Sequence, residues 1–321
     1  MSLSERKILI TGGCGFIGSH LCKKFLERGY SVICVDNLIT GSQENIKEFL
    51  TSSNFKFINH DVSQPLYLSE EIDWVFHFAS IASPLYYLKY PIKTLKAGIL
   101  GTYNCLGIAK EKKAKFFLAS TSEVYGDPQV HPQTEEYNGN VNIVGMRSCY
   151  DESKRISESL VYAYMRKHNL DVRVVRIFNT YGPKMRLDDG RVISNFIRQA
   201  LKGEDLTVYG EGKQTRSFCY IDDLIEGILK MMEADYKMPL NLGNPQEIKI
   251  IDLANLVLKL TNSKSKIKFL PLLENDPKRR CPDIKKAKSI LNWQPKVFLE
   301  EGLKKTIEYF KKRIKNSCGK G

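Results

Sequence analysis

Residues 7–20 read Lys-Ile-Leu-Ile-Thr-Gly-Gly-Cys-Gly-Phe-Ile-Gly-Ser-His, a short apolar run closed by glycines at 12, 13, 15 and 18. The apolar run predicts a buried strand, and the helical spacing over Ser19–Arg28 predicts the helix that follows it. A second apolar run, Ser31–Val35, ends at Asp36, eighteen residues beyond Gly18. Together these make a βαβ opening with the spacing Gly-x-x-Gly-x-x-Gly, a variant of the dinucleotide fingerprint. Glycines allow a tight turn and bring backbone close to a pyrophosphate, while the helix N-terminus faces its negative charge. An acid closing the second strand suits ribose hydroxyls and repels a 2′-phosphate, so NAD is expected in preference to NADP. The expected cofactor contacts here are Gly12, Gly15, Phe16, Ile17, Gly18 and Asp36, with Asn37, Thr40 and Gly41 just beyond.

The alternation continues outward. Phe55–Ile58, Asp73–Phe78 and Phe116–Ser120 read as strands, separated by helical stretches near Leu66–Glu71 and Pro91–Lys112. Asp61 and Val62 follow the third strand, where an adenine contact is expected. Phe78, Ala79 and Ser80 end the fourth and Ala119 lies in the fifth, at the carboxyl edge where such sheets hold ligands. The fold class is therefore α/β, a Rossmann-type doubly wound parallel sheet with a smaller mixed C-terminal lobe. Residues 1–178, with roughly 214–242, are assigned to the dinucleotide domain, and 179–213 with 243–321 to the substrate lobe. Further helices are expected at Val192–Leu201, Asp222–Ala234, Ile251–Leu260, Ile284–Leu291 and Glu300–Ile314, with short strands at Leu206–Tyr209 and Leu240–Leu242.

Composition sets limits. The chain has 321 residues, a net charge of +13 and 42% hydrophobic residues, ordinary for a globular protein apart from its basicity. Its lysines are spread along helices and cluster at 304–315, a solvated-face pattern without the aromatic interleaving of an RNA-binding strand, so no nucleic-acid partner is expected. No apolar run reaches the length of a membrane span. Met1–Lys7 leads straight into the first strand, which predicts neither signal peptide nor membrane partner and a cytoplasmic protein. Eight scattered cysteines without Cys-x-x-Cys or paired histidines predict free thiols and no metal.

Tyr150 precedes Lys154 by four residues, about one turn at the start of a predicted helix, so both side chains share a face. A base role near pH 7 needs the phenol lowered by roughly three units from about 10. A fixed ammonium one turn away is expected to supply part of that.

With STSEVYGDP (120–128), HPQTEEY (131–137), CYDESKR (149–155), RIFNTYGP (176–183), DGRVISNFI (189–197), LTVYG (206–210), QTRSF (214–218), NLGNP (241–245) and PDIKKAK (282–288), the chain resembles the extended short-chain dehydrogenase/reductase family over nearly its whole length. Within that family it is most similar to the UDP-glucuronate decarboxylases. The resemblance implies a UDP-sugar substrate and a cycle in which Tyr150 takes the C4 hydroxyl proton while C4 passes hydride to NAD. Thr121 would bond the same oxygen, and Lys154 would hold the nicotinamide ribose. The resulting β-keto acid loses CO2, and return of the hydride gives UDP-xylose. Relatives that dehydrate sugars carry Asp-Glu where this chain has Ser122-Glu123, and relatives that only epimerise at C4 usually lack the Ser-Glu pair. The resemblance also places Arg280 near the sugar as a catalytic residue and with Arg216 on the diphosphate. It puts Arg191 among the anion-binding arginines, Asn179 on phosphate, Tyr209 near uridine, and Tyr87 and Lys93 on a sugar-facing loop. A homodimer is implied through the helices at Pro91–Lys112 and Tyr150–His168. Departures from the family pattern are Ser42, Ile81, Ser153 and Cys281.

Overall fold

Ile8, Leu9 and Ile10 are buried on both faces of the first strand, as expected where helices cover both sides of a parallel sheet. The computed structural model describes residues 6–271 and 279–318, with side chains to residue 316. The reading of Met1–Lys7 therefore falls largely outside the described residues, as does the Cys318 thiol. Seven strands make the main sheet: β1 (Lys7–Thr11), β2 (Ser31–Asp36), β3 (Phe55–Asn59), β4 (Trp74–His77), β5 (Lys115–Thr121), β6 (Val172–Ile177) and β11 (Pro239–Leu242). Their order is β11-β6-β5-β4-β1-β2-β3, every pair parallel. The winding reverses between β1 and β4, and a crevice opens at the carboxyl ends of the strands there.

One face carries α1 (Phe16–Glu27) and α6 (Ile221–Glu233), where Leu21, Phe25, Ile228 and Phe76 share a core. The other carries α3 (Pro91–Glu111) and α4 (Ser148–His168), with Leu106, Ala109 and Val161 against Leu9, Val75 and Phe116. Around this lie α2 (Pro84–Lys89), α5 (Val192–Lys202), α7 (Ile250–Thr261), α8 (Lys285–Leu291) and α9 (Leu299–Cys318). The remaining strands form small sheets: β7 (Thr180–Tyr181) with β10 (Cys219–Tyr220), β8 (Leu206–Tyr209) with β13 (Ile267–Leu270), and β9 (Thr215–Ser217) between β12 (Glu247–Lys249) and β14 (Arg279–Arg280).

The helix expected near Leu66–Glu71 does not form. Side-chain exposure there alternates residue by residue, with Leu66 and Leu68 turned toward the core and Tyr67 outward, the period of an extended chain. Six residues after a proline are also too few to offset helix nucleation.

α3 and α4 approach through small residues. Ser157 Oγ donates to Gly98 O at 2.9 Å and accepts from Thr102 Oγ1 at 2.9 Å. Ser153 is buried and donates to the Tyr150 carbonyl at 2.7 Å. A Cβ at Gly98 would stand 2.5 Å from Ser153 Cβ. Gly98→Ala is therefore expected to lower stability by about 1–3 kcal/mol through overpacking, read by chemical denaturation. An unchanged midpoint would mean that the helices can separate without cost.

Among the described residues no helix is long and apolar enough to cross a membrane. Cys14, Cys22, Cys34, Cys105, Cys149, Cys219 and Cys281 are free and buried.

Candidate active site

The glycine turn after β1 is shaped by close backbone contacts. Gly12 has φ +72°, and a Cβ on it would stand 2.7 Å from the Ala79 nitrogen at the end of β4. Gly18, in the first turn of α1, lies over the Gly12 carbonyl, which a Cβ would approach to 2.2 Å. At the end of β2 the Asp36 carboxylate accepts from Cys14 N at 3.0 Å and Leu38 N at 2.8 Å, tying the glycine turn to the next loop. Burial raises its pKa against these two bonds. Asn37 Nδ2 donates to Asp61 Oδ2 at 3.2 Å, joining the ends of β2 and β3. The Ser80 hydroxyl is buried without a hydrogen-bond partner. A glycine cradle at a helix N-terminus, an acid closing β2 and an unsatisfied hydroxyl across the crevice fit a dinucleotide.

β5 ends at Thr121, whose Oγ1 accepts from Glu123 N at 3.3 Å and holds residues 122–125 in one tight turn. α4 starts opposite, placing Tyr150 over that turn. Burial is the largest influence on the Tyr150 phenol and pushes it up to about 12, with a hydrogen bond to Thr121 acting the other way. The expected lowering by Lys154 is thus not what the protein groups produce. Lys154 Nζ turns instead to the Ala119 carbonyl at 2.8 Å, and burial lowers its own pKa to about 8. Behind it, Ser120 Oγ donates to Glu158 Oε1 at 2.5 Å, and Arg176 bonds both Glu158 oxygens at 3.0 and 2.8 Å. This network pins α4 to β5 and β6. Tyr87 lies parallel to Tyr150, ring centres 5.4 Å apart and planes 4° apart, and with Ile81 walls its far side.

The Glu123 carboxylate joins distant pieces of chain. Its Oε2 accepts from Arg280 Nη2 at 3.1 Å and also from Arg147. Burial alone would raise this acid, but the charges of Arg280, Arg147 and Arg216 outweigh it and keep it below its usual range. Arg280, 2% exposed, also donates to the Ser122 carbonyl at 2.8 Å. The register of β14 with β9 pairs Arg280 with Arg216, bringing two cations side by side. Arg191, at the start of α5, forks onto Asp189.

The glycine turn, Asp36, Ser80, Thr121, Glu123, Tyr150, Lys154, Arg191, Arg216 and Arg280 open onto one cavity of about 460 Å³. Its walls include every position expected from sequence to bind cofactor: Gly12, Gly15, Phe16, Ile17, Gly18, Asp36, Asn37, Thr40, Gly41, Asp61, Val62, Phe78, Ala79, Ser80, Ala119, Tyr150 and Lys154. Thr121, Ser122, Glu123, Tyr87, Lys93, Asn179, Arg191, Tyr209, Arg216 and Arg280 line it too. Sequence reasoning missed Arg147, Tyr86, Arg186 and Asp189, which share these walls. Arg147 carried one signal, a cation three residues before Tyr150 at a predicted helix start. Arg186 Nη2 donates to Tyr86 Oη at 2.8 Å, and that hydroxyl donates to Asp188 Oδ2 at 2.6 Å. No local pattern announces that contact, because its partners lie 100 residues apart.

Asp151, next to Tyr150, is buried and its Oδ1 has no hydrogen-bond partner. Burial first and the Glu123 charge second push this acid from 3.8 up to about 7, against Arg147 and Arg280. A carboxyl raised on folding is neutral in both states at low pH and costs stability as pH rises from its unfolded pKa through its folded one. Asp151→Asn is therefore expected to add roughly 1–2 kcal/mol more stability at pH 8 than at pH 5, by denaturation at both pH values. An equal effect at the two pH values would remove the argument.

The model of the "NAD dependent epimerase/dehydratase family" matches residues 8–243. A UDP-glucuronic acid decarboxylase 1 of Xenopus tropicalis is 54% identical over 98% of this chain and 74% of its own length. Among solved structures, a UDP-glucose 4-epimerase of Thermotoga maritima with UDP-glucose aligns at 31% identity with a TM-score of 0.89, covering 96% of this chain and 99% of that one. A UDP-glucuronic acid 4-epimerase of Bacillus cereus in complex with UDP-glucuronic acid and NAD is also 31% identical, with a TM-score of 0.87 and the same coverages. A family model spanning most of the chain, a relative sharing over half its residues, and the glycine cradle, Tyr150 and Lys154 around one cavity agree: the chain belongs to the NAD dependent epimerase/dehydratase family.

Proposed function

We propose that the protein is an NAD-dependent decarboxylase that converts UDP-glucuronate to UDP-xylose through a 4-keto intermediate and regenerates NAD in each turnover. The observation that carries this reading is the corner beside Tyr150. There the chain places a neutral Ser122 and the acid Glu123, held by the guanidinium groups of Arg147 and Arg280, with the charge of Arg216 and the Asp151 carboxyl also acting on it. A sugar carboxylate is accommodated where cations outnumber acids. Dehydration needs a second acid for the leaving hydroxyl, which Ser122 does not supply.

Tyr150 and Thr121 share the C4 oxygen, Tyr150 taking its proton and later returning it. NAD, when bound, would supply the hydride acceptor and, in its oxidised form, a positive charge that favours the tyrosinate. Lys154 holds the ribose of the nicotinamide side from its place below Tyr150. Once C4 is a ketone, the C5–carboxyl bond breaks, CO2 leaves and the electron pair delocalises into the ketone oxygen. Protonated Tyr150 stabilises that enolate. A proton then adds at C5, with Arg280 near enough to assist, and Arg216, Arg191 and Asn179 hold the diphosphate while Tyr209 faces the uridine. In this reading the dinucleotide domain comprises 1–178 and 214–242, and the rest forms the substrate lobe.

A homodimer in a reducing, cytoplasmic setting completes the proposal. Exposed Ile92, Leu100, Tyr103 and Ile156 on α3 and α4 support the first part, and the seven free thiols among the described residues the second.

Incubation with UDP-glucuronate and NAD, followed by mass spectrometry, tests the reaction. A product lighter by CO2 is expected. A product lighter by water would make the protein a dehydratase, and an isomer of unchanged mass a 4-epimerase like its structural neighbours.

A further inference from the structure

Arg147 occupies a position that helix chemistry disfavours. It stands at the N-terminus of α4, where a cation meets the positive end of the helix dipole. A rule broken locally beside an active site points to a function that compensates for it.

The surroundings show what that function is. Arg147 and Arg280 both donate to one oxygen of Glu123, so that carboxylate meets two positive charges rather than one. Arg147 lines the cavity, and its charge also acts on Tyr87, the ring stacked on Tyr150. It therefore stands between Glu123 and the wall of the sugar pocket, beside the phenol. On the reading above, Thr121 and Tyr150 would hold the C4 oxygen of the sugar, and Glu123, two residues from Thr121 and bonded to it through its backbone, would border C5. Arg280 and Arg216 together offset Glu123 and Asp151, leaving a corner of no net charge from those four groups. Arg147 makes the corner positive.

We propose that Arg147 is a specificity-determining residue that reads the charge of the substituent at C5, so that a hexuronate is taken in preference to a neutral hexose on the same nucleotide. This rests on the UDP-hexuronate reading above. Entry of the sugar carboxylate adds an anion beside the guanidinium, and Glu123 retains Arg280. A neutral hydroxymethyl group at C5 offers no such exchange. Arg280 is held by the Ser122 carbonyl as well as by Glu123, which keeps it in place as the sugar carboxylate enters.

The test uses the full chain carrying Tyr150→Phe and loaded with NAD, so that nucleotide sugars bind without turnover. Titration calorimetry with UDP-glucuronate and UDP-glucose gives the preference. A charge-assisted contact predicts a preference of roughly tenfold or more for UDP-glucuronate in this background. Adding Arg147→Gln is expected to reduce it to about threefold or less, while UDP-glucose affinity changes by less than about twofold. Glu123→Gln is expected to move the preference upward. Arg147→Lys, which keeps the charge, is expected to hold the preference within about threefold of the parent, and it serves if the glutamine variant does not fold. Equal weakening of both sugars, an unchanged preference, or a lysine variant as indiscriminate as glutamine would each overturn the proposal. Failure of the underlying reading shows separately, as wild-type protein that releases no CO2 from UDP-glucuronate.

Discussion

Tyr150→Phe protein is expected to bind NAD with affinity close to that of the wild type and to turn over UDP-glucuronate at least about a thousandfold more slowly, the scale of a lost general acid–base group. Phenylalanine keeps the ring, and with it the parallel stack on Tyr87 and the packing against Ile81. The substitution deletes one oxygen. That oxygen bonds Thr121 and belongs to a residue lining the cavity, so its loss removes the group that takes and returns the C4 proton. Folding stability should fall by no more than about 1 kcal/mol, the worth of one neutral hydrogen bond. Product formation followed by mass spectrometry, with NAD binding by calorimetry, separates chemistry from cofactor affinity. Turnover within tenfold of wild type would mean that another group handles the proton.

The second large effect is expected at the cofactor. Gly18→Ala should weaken NAD binding by more than about a hundredfold and destabilise the protein by roughly 1–3 kcal/mol through overpacking. A Cβ there would lie 2.2 Å from the Gly12 carbonyl oxygen and 2.8 Å from Gly13 Cα, both backbone atoms that no rotamer change can clear. Relief requires α1 to lift away from the glycine turn. That turn is also held by Asp36 through Cys14 N, so the displacement passes to the carboxylate expected on the ribose. Calorimetric titration with NAD measures the affinity, and far-ultraviolet circular dichroism shows whether the fold survives. A folded variant that binds NAD normally would contradict the close approach of α1 to the glycine turn.

The parts of the site that were legible in the sequence are those made by neighbouring residues. The cradle from Gly12 to Gly18, the acid Asp36 eighteen residues later and the one-turn separation of Tyr150 and Lys154 each lie within one βα unit or one helical turn. Strand–helix alternation was readable for the same reason, since periods of 2 and 3.6 are local. The failure at Leu66–Glu71 came where the segment was too short for its period to be distinguished. Among the minor strands β8 was readable at Leu206–Tyr209, whereas β7, β9, β10, β12, β13 and β14, two to four residues each, fell below that limit as well.

Local geometry therefore determined the sheet order's starting point, the dinucleotide cradle and the tyrosine–lysine pair from the amino acids alone, because peptide sterics act over a few residues. Only the tertiary structure decided how Glu123 is charged and what surrounds the phenol. Arg280 reaches Glu123 across 157 positions of chain, and Arg147 reaches it across 24. The same packing removes water from Tyr150 and raises it to about 12, reversing the shift that its spacing from Lys154 suggested. Desolvation depends on every segment that covers a group, and charges interact through space rather than along the chain, so neither could be read from a stretch of sequence.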